Sequence, residues 1–444
     1  MSRRPAPPPS PVTVLRGHLS GVQAVCFLND DVLLSGSQDG VVKVWDLERR
    51  RACAEFTATS NGMGVQRLDR IGRRGRVVSQ GRDMLIKVWD AERLGGGGGG
   101  DVGGRNGASG PTVSPEPLQV LATGSFHFCQ FALTRWRESS EIEGAGESTT
   151  SSRCSSSSSS SSKDGGGVGG ASGGGGRGDS DPSGLGDHGR REGDLCEAKG
   201  ERGGEGGGGA DGRGFFLSDD SSFAENVMLA PSRDQHSMSL WDLRDGRPSF
   251  SFSPRDAERK GMVMCVRLLG ESPSCANPFA VVGHDSGHLC VYDLRATSAE
   301  PLLESQLHTA PLLCVDVGSC CRQGVSGSAD ESINVFRLST RKASRRTRAS
   351  CAVVKTFRVD HPGTSCVEIR RDQKLFVSGG WDHRVRVFGW KNPRPLAVLR
   401  SHEKSVHAVA YSPRIGGVAS GSGDSRVAVW DLFQDKKRGG GEGG

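Results

Sequence analysis

Hydrophobic and polar residues alternate along most of this chain in short runs, and each run ends at Gly, Asp or Ser. Apolar positions spaced by two put one face of a strand against a core and the other toward solvent, so each run predicts a short β-strand. Val41-Val-Lys-Val-Trp-Asp46 is one such run. It recurs as Leu85–Asp90, Ser237–Asp242, Gly287–Asp293, Ile333–Arg337, Val385–Phe388 and Arg426–Asp431. The aromatic residue of each copy falls at 45, 89, 241, 292, 336, 388 and 430, so neighbouring copies lie 42 to 52 residues apart except across one interval of 152. An Asp precedes each aromatic by six or seven residues, at 39, 83, 234, 285, 330, 382 and 424, and a His at 18, 308, 361 or 402 precedes four of these by 21 or 22. Landmarks held at such spacing mark an internal repeat, and four strands in about 47 residues match one propeller blade. Seven such units joined by hairpins predict a single all-β domain over residues 11–434.

Composition explains the long interval. Gly makes up 66 of 444 residues, and 10 of these fall in 95–110 and 25 in 138–214, beside a run of eight Ser at 155–162. Such stretches have too little apolar surface to offset the entropy of ordering them. Residues 95–115 and 138–214 are therefore expected to be disordered insertions, the second within the a–b hairpin of blade three. The Pro-rich residues 1–10 and Gly-rich residues 435–444 are expected to be disordered tails.

Several functional classes drop out. No run of about 18 apolar residues is present and no apolar stretch follows Arg3 and Arg4, so neither a membrane span nor a secretory leader is expected, and the chain reads as intracellular. Lys and Arg number 57 against 51 Asp and Glu, a net +6 that speaks against direct nucleic-acid binding. The 13 Cys include no Cys-x-x-Cys pair, and Cys26, Cys265, Cys314 and Cys366 sit at apolar strand positions, which predicts buried thiols rather than disulfides. His284 and His288 have the i, i+4 spacing of a helical metal site, but on a strand hairpin they do not converge. The Gly-rich segments lack the Lys-Ser or Lys-Thr of a phosphate loop. No metal or cofactor is expected.

Gly17-His18, Ser35-Gly-Ser-Gln-Asp39 and Trp45-Asp46, with Gly421-Ser-Gly-Asp424 and Trp430-Asp431 at the far end, resemble WD40 repeats. That resemblance covers everything except the tails and insertions, and it implies a seven-bladed closed β-propeller in which Val12–Leu15 completes the last blade. It also implies that His18, Ser35, Asp39 and Trp45 form a buried hydrogen-bonded tetrad, repeated by His402, Ser420, Asp424 and Trp430. Ser, His and Asp are triad ingredients too, but an active site is normally built once, so repetition favours an architectural role and no catalysis is expected. The residue before each b–c turn Asp is expected at the blade rim: Gln38, Arg82, Arg233, His284, Ala329, Trp381 and Gly423. Partners of WD40 proteins often dock on this ring. Arg and Trp dominate interface energetics, so Arg82, Arg233 and Trp381, together with His284, are the candidate contacts.

Longer strings narrow the resemblance. Val78-Ser-Gln-Gly-Arg-Asp83, Gly379-Gly-Trp-Asp-His-Arg-Val-Arg-Val-Phe388 and Pro395-Leu-Ala-Val-Leu399 resemble the guanine-nucleotide-binding protein β-subunit-like, or ASTRA-associated, protein family. Membership would imply a non-catalytic adaptor of the nucleus and cytoplasm within the ASTRA assembly, linked to chromatin remodelling. It would also imply work with the TTT co-chaperone in maturing phosphatidylinositol-3-kinase-related kinases. Residues 1–11 are too short and Pro-rich for the helix that pairs a G-protein β subunit with γ, so no γ partner is expected. A competing reading starts from Trp241-Asp-Leu-Arg244 and Tyr292-Asp-Leu-Arg295, which resemble the WDxR box of cullin-RING ligase receptors. It would put Arg244 and Arg295 on the ligase adaptor, although Arg at this place also pairs locally with Asp. Finally, the basic run Arg341–Arg348 reads either as an import or phosphate-binding element, with Ser344 placed like a kinase site, or as a solvated loop between blades five and six.

Overall fold

The computed structural model describes residues 9–71, 75–94, 115–124, 129–133, 226–254, 256–269, 279–294, 300–343, 346–413 and 416–432. Their strands, numbered β1 to β28 in chain order, form seven four-stranded antiparallel sheets, the blades of a β-propeller. Blade one is β2 (Val22–Phe27), β3 (Val32–Ser37), β4 (Val41–Asp46) and β5 (Arg51–Thr57), lettered a to d from the inside outward as in every blade.

A small residue in strand b sets how closely the blades pack. A Cβ on Gly36 would lie 2.6 Å from Val65 of the next blade, and Gly283, Gly327, Gly379 and Gly421 stand 2.5, 2.5, 2.7 and 2.6 Å from Leu312, Thr364, Val406 and Val22 in the same way. The Gly of the Ser-Gly-Ser motif is thus required by the approach of the neighbouring strand a. The apolar core lies between the sheets. Trp89 in strand c of blade two packs against Phe56 in strand d of blade one at 4.8 Å, and Tyr292 meets Phe252, and Phe388 meets Phe357, at 5.1 and 4.7 Å in the equivalent places. Such tilted pairs add to the gain from burying both rings.

The ring closes through β1 (Thr13–Arg16), which pairs antiparallel with β28 (Arg426–Asp431) from Thr13↔Val429 to Arg16↔Arg426. Leu15, 2% exposed, packs among Val22, Trp45 and Val427, so one short strand joins the last blade to the first. Polar ties also cross the inner strands. The buried Asp316 of blade five accepts from Arg267 Nε of blade four at 3.1 Å and from the Ile369 amide of blade six at 2.7 Å.

The long insertion interrupts blade three between β10 (Ala132–Leu133) and β11 (Val227–Pro231), strands a and b, which still pair through Ala132↔Leu229. Residues 138–214, nearly all of 95–115 and most of both tails lie outside the described residues. The basic run needs a correction. It belongs within blade five, where β20 (Ser332–Ala343) and β21 (Arg346–Arg358) stay paired as far as Ala343↔Arg346, so the segment continues a hairpin instead of forming a loop between blades; Ser344 lies outside the described residues. Cys26, Cys265 and Cys314 are buried and free, while Cys366 is free but only half-buried. Among the described residues no helix is long and apolar enough to cross a membrane.

Candidate functional site

The recurring His, Ser, Asp and aromatic positions are wired differently from blade to blade. In blade seven His402 Nδ1 lies 3.0 Å from Asp424 Oδ2, and its Nε2 lies 2.6 Å from Ser420 Oγ. Blade five repeats this with His308, which meets Asp330 Oδ2 at 3.0 Å and Ser326 Oγ at 2.9 Å, with Phe336 in place of the Trp. In both, burial depresses the imidazole below its ordinary range, against the opposing pull of the carboxylate. Burial alone would raise Asp424, but the Glu403 amide and His402 hold it below the usual carboxylate value.

Two expected links of the tetrads are missing. In blade one Ser35 Oγ meets His18 Nε2 at 2.6 Å and accepts from the Trp45 indole N–H at 2.7 Å, but His18 Nδ1 has no partner among the described residues. Asp39 turns instead to the Ser37 hydroxyl and, by its own amide, to Ser20 Oγ at 3.1 Å. Burial, seconded by Lys43, lowers His18 to about 4. In blade seven the Trp430 indole N–H is the unpartnered group, although its ring stands edge-on to His402 at 6.1 Å. The His361 landmark is exposed, and Asp382 is held instead by the Arg386 guanidinium, with Nη1 at 3.0 Å from Oδ1 and Nη2 on Oδ2. Nothing in the period of the sequence signals that exchange of His for Arg. Ser35 and Ser420 are both 0% exposed, so these groups tie strands together and offer no open nucleophile.

The ring of residues before the turn Asp is mixed. Gln38, Arg82 and Arg233 are exposed, Trp381 is 44% exposed, and Ala329 and Gly423 are half-buried. Trp381 packs against Gly363 (φ +93°), where a Cβ would come within 2.0 Å of the indole, and still keeps much of its surface exposed. Arg233 runs its stem over Gly124, whose Cβ would lie 3.7 Å away. Arg82 stands near His407 of blade seven, whose imidazole is depressed by burial first and by this cation second. His284 corrects the expectation: it is 0% exposed, turned inward with Nδ1 3.4 Å from the Gly261 carbonyl, and burial lowers it to about 4. Its place in the repeat is a rim place, but the chain before blade four leaves it no solvent.

Arg244 engages Asp242, with Nε 3.1 Å from Oδ1 and Nη2 2.7 Å from Oδ2. Asp242 is 3% exposed, so drawing Arg244 onto a ligase adaptor would strand a buried carboxylate. Arg295 lies outside the described residues. Among the described residues no group of three or more His, Cys, Asp or Glu could hold a metal ion.

The WD domain, G-beta repeat family matches residues 9–46, 352–389 and 393–431. Over 96% of its length the chain is 26% identical to the guanine nucleotide-binding protein subunit beta-like protein 1 of Mus musculus, covering 97% of that protein. It is similarly 25% identical to the ASTRA-associated protein 1 of Schizosaccharomyces japonicus, covering 99% of it. To the protein of the same name from Verticillium alfalfae it is 23% identical, with 96% and 93% of the two chains aligned.

Proposed function

We propose that this WD40-repeat propeller is a non-catalytic adaptor of the assembly for which its ASTRA-associated relatives are named, joining partner proteins through the b–c rim. One observation carries the reading: similarity to those relatives spans 96% of the chain, well beyond the three segments that match the repeat family. The rim supplies the means. Two exposed guanidiniums and an exposed indole are residue types that anchor protein interfaces, on a frame whose polar ties are buried. A place in the nucleus and cytoplasm, a link to chromatin remodelling and co-chaperone-assisted maturation of phosphatidylinositol-3-kinase-related kinases belong to the same proposal. The ligase-receptor alternative has less support, since Arg244 is engaged by Asp242.

Affinity purification of the full chain with mass spectrometry tests this. Recovery of ASTRA or TTT subunits is expected, and Arg82→Glu with Arg233→Glu and Trp381→Ala should remove them at unchanged melting temperature. Recovery of a cullin and its adaptor instead, lost on Arg244→Ala, would replace this reading with the alternative.

A further inference from the structure

A cavity of about 500 Å³ opens between blades four and five and belongs neither to the polar ties nor to the rim. Leu269, Phe279, Val291, Leu303 and Leu338 give it apolar walls, and Arg322 and Arg337 stand at it with exposed side chains. Neither arginine has an ion-pair partner among the described residues. Strand b of blade four (Phe279–His284) begins at this cavity and runs toward the rim, so the cavity lies on the face opposite Trp381.

The hairpin beside it is unlike those of the other blades. β20 spans 12 residues and β21 spans 13, where the strand c of blade four spans six, an extension of about 20 Å at the rise of a strand. Residues 332–358 carry eight Lys and Arg and no Asp or Glu. β21 is the outermost strand of its sheet, with Val353 and Val354 exposed at 45% and 44%. An unpaired strand edge bears a row of backbone donors and acceptors.

From these features we propose that the cavity and the β21 edge beside it dock an acidic, extended segment of a partner protein. One of its apolar side chains enters the cavity, its carboxylates meet Arg322 and Arg337, and its backbone runs along the β21 edge. Each part of the surface selects this class. Arg322 and Arg337 attract any polyanion, but five apolar walls reward a buried aliphatic or aromatic side chain, and a strand edge pairs with a polypeptide. A nucleic acid would use the charge and leave the cavity empty.

The experiment uses purified full-length protein, so its failure is separate from failure of the adaptor reading, which is decided by partner recovery at the rim. Fluorescence anisotropy follows a short labelled peptide of Asp and Glu around a central Leu-Phe. Saturable, salt-sensitive binding is expected, weakened about tenfold or more by Arg322→Glu with Arg337→Glu, and about tenfold by Ser350→Trp, which crowds the cavity from an exposed position. Replacing the peptide's Leu-Phe by Ser-Ser should weaken it comparably, and a Lys-for-acid peptide should recover binding to the charge-reversed variant. If charge reversal lowers the melting temperature, Arg322→Gln with Arg337→Gln serves in its place. Affinity indifferent to these changes in a folded protein, or oligothymidylate bound as tightly as the peptide, would overturn the proposal.

Discussion

Trp45 and Trp430 occupy the same place in their repeats and are buried to the same degree, at 2% and 1% exposure, yet only Trp45 has a use for its indole N–H. Trp45 donates to Ser35 Oγ at 2.7 Å, while Trp430 leaves its N–H unpartnered among the described residues. Replacing either by Phe removes similar volume, so the difference between the variants isolates one hydrogen bond. Trp45→Phe is expected to cost about 1 kcal/mol more than Trp430→Phe, measured by urea denaturation. Equal costs would show that the bond to Ser35 contributes nothing. The carboxylates differ likewise: Asp424 binds His402, Asp382 binds Arg386, and Asp39 binds neither a His nor an Arg.

At the scale of elements, β1 has more consequence than its four residues suggest, because it supplies the outer strand of blade seven and inserts Leu15 between that blade and blade one. Leu15→Ala empties a fully packed site and is expected to cost about 2 to 5 kcal/mol, read from the shift of the denaturation midpoint. Removing residues 1–16 should do more, since β28 then presents a bare edge, and light scattering should detect association of the shortened chain. A monodisperse product with the original melting temperature would contradict closure by this strand. The contacts at Gly36, Gly283, Gly327, Gly379 and Gly421 show the same dependence of one blade on the next.

Over the whole molecule, the insertions and the long hairpin all emerge from a–b or c–d connections, at the end of the blades away from Trp381. The b–c connections that carry the rim, by contrast, stay short in every blade. Replacing residues 139–211 by a short Gly-Ser linker is expected to leave the melting temperature unchanged, because β10 and β11 pair through residues outside it and a doubling of loop length costs only about 0.6 kcal/mol. A clear fall in thermal stability would show that the insertion supports blade three.

The sequence alone determined the number of blades, the all-β class and the site of the long insertion. These follow from period and alternation, which are properties of order along the chain; closure by the amino-terminal strand came instead with the resemblance to WD40 repeats. Tertiary structure decided which equivalent residues are equivalent in fact. His284 occupies a rim position but is buried by chain from the preceding connection, and His361 keeps its spacing while Arg386 takes its carboxylate. The run Arg341–Arg348 became the end of a paired hairpin within blade five, as far as Ala343↔Arg346. Repeat position fixes where a backbone goes; the exposure and partner of a side chain depend on neighbours distant in sequence, which no periodic pattern encodes.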